Sequence, residues 1–427
     1  MLYRIAGIDV HKRMLAVVLW VLDQYGQHQW ERRQFGTSPA QLRLLADWLL
    51  EQQVEEVVLE STAQYWKPVW AALERYWQAA FQKRRGARPT SGRLHLAQAQ
   101  SNRAPRGRKK DFADAERLVR RFVANELTLS FVPDPPQRWW RTVMRTRYQL
   151  RCNQVQLQNR LEALLEEAQI KLSSLVSDLL GASGQRMLKA LAEGETDPAA
   201  LAALADHRLR ATPEQLSDAL GACQDLHPIY RRLVRTALEE WQGMEKQIQQ
   251  LEEEMAQLLA SHQDQVQRLA EVPGLGVDSA QQVIAEVGVT AATFPSAGNL
   301  SSWVGACPGD DESAGVNHRR RSPKGNRHMR RILNQCANAA VRLKGSIFDL
   351  LYRRYVPRLG HKQTIGIIAH RLCRLIWKIL HQGIRYEERG PAVSQKSKRT
   401  RAARMIRELR SLGYCVELSN SLPSGAT

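Results

Sequence analysis

Two carboxylates three residues apart, Asp111 and Asp114, follow a basic run in the stretch RGRKKDFADAERL, Arg106 to Leu118. Apolar Leu118, Val119, Phe122 and Val123 recur at helical spacing after them, and residues three apart on a helix share a face. Two chemistries are open to such a pair. Asp111 could be an N-cap and Asp114 a first-turn acid, both favoured by orphan amides and the positive helix end. Alternatively, the pair is half of a divalent-metal site beside a phosphate-binding strip of Arg106, Arg108, Lys109 and Lys110. That second chemistry needs partner carboxylates at the ends of strands.

Such partners exist. Asp9 closes the apolar run YRIAGID at residues 3–9, and Glu60 closes EEVVLE at residues 55–60. The elements around them fit a layered α/β domain. Met14–Leu22 and Gln27–Phe35 are strand-like runs separated by a turn over Asp23–Gly26, giving an antiparallel meander with the first strand. Gln41–Gln53 carries Leu42, Leu45, Leu49 and Leu50 on one face, Tyr65–Ala80 is again helical, and Leu94–Ala99 is a weaker strand. Alternating strands and helices predict an α/β sheet, and such sheets gather active groups at the carboxyl ends of their strands. Magnesium is a hard ion that prefers oxygen ligands. Two such ions about 4 Å apart clamp the attacking and leaving oxygens of a phosphodiester displacement. Without a metal, four gathered acids would raise one another's pKa.

Bulk composition agrees. The chain has 427 residues, 43% hydrophobic, with a formal charge of +19, enough for two or three domains. That excess favours a polyanionic partner, nucleic acid first. Met14–Leu22 is too short to span a bilayer. No signal peptide is evident, and six scattered cysteines without CxxC pairs suit a reducing cytoplasm better than a disulfide framework or zinc site.

FVPDPP, Phe131–Pro136, is rigid punctuation. Helix is expected over Trp139–Ala168, opening RWWRTVMRTRYQLR, whose aromatics and arginines could grip nucleic acid or pack on other helices. Its stripe Leu157, Leu161, Leu164, Ala168 runs on to Leu175, and Glu193–Ala219 suggests short helices and loops. Trp241, Met244, Ile248, Leu251, Met255 and Leu258 form a heptad seam, whose partner is either that stripe or a second copy. The PGLG turn within Val272–Gly288 resembles a helix-hairpin-helix, which holds phosphates by backbone amides. Ser313 lies in the small-residue loop ESAG, followed by Arg319, Arg320, Arg321, Lys324, Arg327, Arg330 and Arg331, all suited to phosphates. His318 and His328 suit a solvated basic loop, His370 a structural position in the helix Ile365–Leu380, and Cys307, Cys336 and Cys373 buried packing.

GIDVHK (Gly7–Lys12), ESTAQYW (Glu60–Trp66) and KKDFADAERL (Lys109–Leu118) resemble the three acidic motifs of the DEDD-type transposases of insertion sequences. Trp303–Leu333, WVGACPGDDESAGVNHRRRSPKGNRHMRRIL, resembles the C-terminal transposase domain of the same family. Ala63 stands where that family usually has Gly, and Lys110 where it has Thr. Both departures bear on local geometry rather than on metal binding. The resemblance implies an RNase H-like, RuvC-like domain at 1–133, a helical coiled-coil region at 134–265, a mostly helical transposase domain at 266–386 and a basic tail at 387–427. It also implies magnesium on Asp9, Glu60, Asp111 and Asp114, and Ser313 as the nucleophile on donor and target DNA. A structured bridge RNA and a homo-oligomer, dimer or tetramer, belong to the same expectation. A RuvC-like nuclease using activated water, and a non-catalytic nucleic-acid-binding protein, are the alternatives.

Overall fold

The computed structural model describes residues 3–22, 25, 27–61, 63–82, 92–102, 110–309, 312–313, 316–317 and 322–388, with a few positions of the tail. Arg106, Arg108, Lys109, His318, Arg319, Arg320, Arg321 and most of the basic tail lie outside the described residues. The chain forms two compact units, Met1–Pro133 and Asp134–Thr427.

The first unit is a six-stranded mixed sheet with helices against it. Its strands are β1 (Tyr3–Val10), β2 (Met14–Leu22), β3 (His28–Gly36), β4 (Glu56–Glu60), β5 (Arg93–Ala97) and β6 (Leu129–Ser130), in the order β3-β2-β1-β4-β5-β6. The first three form an antiparallel meander, β1 pairs in parallel with β4 and β4 with β5, and β6 returns antiparallel. β1 and β2 are buried on both faces, whereas the edge strand β3 exposes Glu31, Arg32 and Arg33, charges that discourage further strand addition. Two residues are too few for a sequence pattern, and β6 was not anticipated.

Helix α1 (Pro39–Glu51) starts at Ser38, whose side chain accepts the Gln41 amide with Pro39 in the first turn. With the helical run α2 (Trp66–Ala72), π-helical Leu73–Gln78 and α3 (Ala79–Gln82), it covers one face of the sheet through Leu45, Leu49, Val69 and Trp77 against Ile8, Val17 and Leu59. The opposite face takes α4 (Asp111–Val123), whose Leu118 and Val119 pack on Ile5, Trp20 and Val58. Alternation along β1 turns Gly7 and Asp9 to the α4 side with Ile5. A β-carbon on Gly7 would stand 2.6 Å from both the Ala115 carbonyl and Val119 Cγ2. Only glycine lets α4 approach this closely.

The second unit is almost wholly helical. Two long helices, α5 (Pro135–Glu167) and, after α6 (Ala182–Glu193), α7 (Pro198–Ala202) and α8 (Pro213–Ala219), α9 (Pro228–Leu258), run antiparallel. Arg160–Glu240 (3.3 Å), Arg151–Glu245 (3.1 Å) and Arg147–Glu252 (3.6 Å) fix that direction. The heptad seam therefore finds a partner within the chain: Met244, Ile248 and Met255 are buried in α9 and Met144, Leu157 and Leu161 in α5. The short helices close one end around Leu188, Leu191, Leu201 and Leu216. At the other end lies a core built from α10 (Gln263–Ala270), α11 (Val277–Val287), α12 (Ala297–Val304), α13 (Arg327–Ala340) and α14 (Ile347–Gln382), the last broken at Gly360. A two-residue ladder, β7 (Glu312–Ser313) with β8 (Val316–Asn317), precedes α13. No helix among the described residues is long and apolar enough to cross a membrane.

Candidate functional site

The parallel register sets Ile8 opposite Leu59. One residue on, Asp9 and Glu60 end adjacent strands on the face that α4 covers. Lys110 is the N-cap of α4, without a side-chain cap bond, so Asp111 and Asp114 fall within the first turn. The capping reading thus fails for Asp111 and holds only in its weaker form, as favourable charge at the positive helix end.

The acids converge on Asp9. This residue is 7% exposed, and its Oδ2 has no hydrogen-bond partner among the described residues. Burial pushes its carboxyl above the ordinary aspartate range, His11 lowers it, and the negative charges of Glu60, Asp114 and Asp111 push it up further. His11 Nε2 stands 3.2 Å from Asp9 Oδ2 and 3.2 Å from Asp111 Oδ1. One donor atom each from Asp9, His11 and Asp111 lies within 4.8 Å of the others, close enough to share a cation. An orphaned, buried carboxylate oxygen beside further acids fits a hard divalent ion.

The remaining acids are held rather than idle. Asn102 Nδ2 donates to Glu60 Oε2 at 2.8 Å, and Arg117 pairs with Asp114 from the next turn of α4 while its Nε donates to the Asn102 carbonyl at 3.3 Å. Asn102 and Arg117 therefore couple two strand and helix ends into one frame. Asn102 lies outside the acidic motifs and carries no sequence signal, whereas Arg117, three residues after Asp114 in KKDFADAERL, has its helical pairing spacing as a signal. His11 carried a signal, standing two residues after Asp9 in GIDVHK.

In the second unit the segment bearing Ser313 is closed at its base by backbone contact. Gly305, the left-handed cap of α12 (φ +73°), and Gly325 touch: a β-carbon on Gly305 would lie 2.6 Å from the Pro323 carbonyl, and one on Gly325 2.3 Å from that of Val304. The Asn326 amide donates to the Trp303 carbonyl (3.1 Å), Arg330 to that of Pro323 (3.1 Å), and His370 Nδ1 to that of Ala306 (2.6 Å). Ser313 pairs with Val316 across the small ladder above this base.

Beneath it sits Glu286, 3% exposed. Arg145 grips it with two bonds (2.9 and 2.8 Å), Arg141 lies 3.7 Å away, and Asn326 Nδ2 donates to it at 2.8 Å. Asn326 Oδ1 in turn caps α13 at the His328 and Met329 amides. Burial alone would raise the Glu286 pKa, but Arg145, then Arg141 and Asn326, outweigh it and hold the carboxyl below the ordinary range. The arginines that open α5 are thus largely engaged inside the chain, Arg147 with Asp278 included. Trp140 is buried and Trp139 exposed. Cys336 and Cys373 are buried as expected, the Cys373 thiol pushed up to about 12 by burial, but Cys307 is only half-buried. His328 is no solvated loop residue either. It is half-buried edge-on to Tyr148, its pKa lowered by burial and then by Arg145.

The outer face of α13 is different. A groove of about 890 Å³ runs along it, lined by Lys324, Arg327, Arg330 and Arg331, with Asn334, Gln335, Asn338 and Arg342 beyond. Arg331 stacks over Tyr148 at 4.2 Å, which orders the guanidinium. Amphipathic spacing made this face: Met329, Ile332, Leu333, Cys336 and Ala340 go inward and the cations and amides stay out. The PGLG turn between α10 and α11 packs against the same helix, since a β-carbon on Gly274 (φ +83°) would meet the Cys336 carbonyl at 2.3 Å.

Comparison with known proteins gives a consistent picture. Residues 6–170 match the family model of DEDD transposases of the IS110 type, and residues 266–353 match that of the transposase IS116/IS110/IS902 family. A segment of 125 residues is 28% identical to an insertion element IS110 uncharacterized 43.6 kDa protein from Streptomyces coelicolor, spanning 29% of this chain and 31% of that relative's length. The first match covers the acidic cluster and runs on through α5 of the second unit, and the second covers the serine segment. The chain belongs to the DEDD-type transposases of insertion sequences.

Proposed function

We propose that this protein is a DNA transposase or recombinase that cuts and rejoins phosphodiester bonds of an insertion sequence. The single observation that carries the reading is the buried Asp9 carboxylate, with an unpartnered oxygen under the charge of Glu60, Asp111 and Asp114. Such an arrangement costs stability unless a cation completes it. The four acids would hold divalent ions, magnesium first, and these supply charge neutralisation for an in-line displacement at phosphorus. The sheet order, an antiparallel meander continued by parallel strands, supports an RNase H-like, RuvC-like assignment.

Ser313 is the nucleophile in this reading. Its hydroxyl gives up its proton as the oxygen forms a bond to phosphorus, one deoxyribose oxygen leaves with the bonding electron pair and takes up a proton in exchange, and the strand stays attached as a phosphoserine ester. Attack by a DNA hydroxyl reverses the step and rejoins the strand. The rigid glycine-to-glycine base of the serine segment suits this role, because a nucleophile must be held for attack. Lys110 and the groove on α13, with Arg319, Arg320 and Arg321 before it, would neutralise phosphates, and the basic Arg106, Arg108 and Lys109 would do so beside the acids.

Within the second unit we assign residues 134–265 to a coiled-coil-like spacer, 266–386 to the transposase domain and 387–427 to an auxiliary basic tail. Donor and target duplexes, a structured bridge RNA that selects them by pairing, and a homo-oligomer bringing both together complete the reading. The net charge of +19 supports polyanionic partners. Incubating the protein with element-end DNA, candidate RNA and magnesium tests it. Intact protein should yield joined product and a covalent adduct. Ser313→Ala should lose both, and Asp9→Asn should lose magnesium-dependent cleavage. Full recombination by Ser313→Ala overturns the serine mechanism, and cleavage without an adduct points to the water-using nuclease.

A further inference from the structure

We infer that His11 is itself a metal ligand, so that the ion beside Asp9 and Asp111 sits in a mixed nitrogen–oxygen site. The inference rests on the metal-site reading of the acids and adds a donor to it. Three observations point to it. First, His11 Nε2 and Asp9 Oδ2 are both buried and both lack a hydrogen-bond partner among the described residues, although they stand 3.2 Å apart. A donor and acceptor at that distance bond when they are aligned. These two are not aligned on each other.

Second, the same nitrogen is 3.2 Å from Asp111 Oδ1. Adjacent ligands of an octahedral ion with bonds of about 2.1 Å lie about 3.0 Å apart. The nitrogen thus stands at neighbour spacing from each of the two carboxylate oxygens, and one donor atom from each residue lies within 4.8 Å of the others. Third, the backbone fixes this geometry. Asp9 lies near the end of β1, and the His11 amide donates to the Met14 carbonyl at 3.0 Å, closing the β1–β2 connection. Imidazole is thereby presented from the strand side and Asp111 from the helix side.

An imidazole donor shifts preference away from magnesium toward manganese and later first-row ions. Manganese is therefore the probe. Mn²⁺ titrated into the full-length protein should show ¹⁴N coupling in pulsed electron paramagnetic resonance, altered by ¹⁵N-histidine labelling and absent in His11→Ala. Removing the ligand should weaken Mn²⁺ binding by about 10–100-fold in calorimetry, at least the loss typical of an outer-shell partner. His11→Gln, which keeps a polar group of similar reach, supplies the same comparison if the alanine variant does not fold. Mn²⁺ bound without nitrogen coupling, or with coupling and affinity unchanged in the His11 variants, overturns this inference alone. No Mn²⁺ bound by the intact protein overturns it together with the acidic metal site.

Discussion

Glu286 and Asp9 are both nearly buried, 3% and 7% exposed, yet their surroundings are opposites. Glu286 is saturated: Arg145 holds it bidentately, Asn326 donates to it, and Arg141 adds a second positive charge. Asp9 keeps an unpartnered oxygen and faces three more acids. A buried acid whose two oxygens are both hydrogen-bonded locks helices together. One left unsatisfied among like charges is strained until something else arrives. The first kind of carboxylate makes architecture and the second, on the proposed reading, makes chemistry, and hydrogen-bond accounting separates them where burial does not.

The sharpest break of this comparison is Glu286→Ala. It strands Arg141 and Arg145 and removes the partner of the Asn326 side chain that caps α13. Loss of one member of a buried ion pair costs about 3–5 kcal/mol, so urea unfolding should show a loss of that order. The Glu286 pKa is lowered from 4.5. Its contribution is therefore complete above pH 4.5 and lost as pH falls through the lowered value, and the gap between wild type and variant should close on the acid side. A variant as stable as wild type at neutral pH would remove Glu286 from the architectural class.

Gly7→Ala comes next. The added methyl meets the Ala115 carbonyl and Val119 Cγ2 at 2.6 Å, and overpacking of this kind costs about 1–3 kcal/mol. Because α4 also delivers Asp111 and Asp114, the same shift should weaken divalent-ion binding. Calorimetry with Mn²⁺ reads that loss. Unchanged affinity in a destabilised Gly7→Ala protein would mean that the acids do not depend on this contact.

The contrast also marks what a sequence can reveal. Strand-end acids and the helical pair stand out because period and position are local properties, and α4, β1 and β4 lie where patterning puts them. Glu286 was invisible, being one of two acids in a mostly buried helix, with partners Arg141, Arg145 and Asn326 that come from far along the chain. The arginines of RWWRTVMRTRYQLR look like a nucleic-acid surface until packing turns Arg141, Arg145 and Arg147 onto carboxylates. Asn102 is likewise defined only by folding. His11 stands in GIDVHK beside Asp9, but nothing local shows that its ring turns back to Asp9.

Asp9→Asn should move stability in the direction opposite to Glu286→Ala and by less. The Asp9 carboxyl titrates above its ordinary value of 3.8, chiefly because it is buried. Between that value and its raised one the folded state binds more protons than the unfolded state, so stability falls as pH rises through the window. At neutral pH, without divalent ions, the neutral asparagine should make the protein more stable than wild type. The difference should vanish at low pH, where Asp9 is already neutral. Adding magnesium or manganese should reverse the ranking, since only the wild type gains from binding. Thermal midpoints across pH, with chelator and with ion, test both signs. An Asp9→Asn protein less stable than wild type in chelator would put Asp9 with the saturated acids.

The smallest effect is expected beside Glu60. Ala63 holds φ +46° in the turn that leaves β4, the position where related motifs usually have Gly. A left-handed residue with a β-carbon costs about 1–2 kcal/mol, and glycine gives back roughly 0.5–1 kcal/mol in the unfolded chain. Ala63→Gly should therefore gain about 0.5–1 kcal/mol in urea unfolding. If the strain serves only to connect β4 to α2, ion affinity stays constant as stability rises. If it holds Glu60 toward Asp9, the relaxed turn binds Mn²⁺ more weakly, and a gain in stability paired with a loss of affinity would mark Ala63 as part of the unsatisfied, chemical side of the comparison.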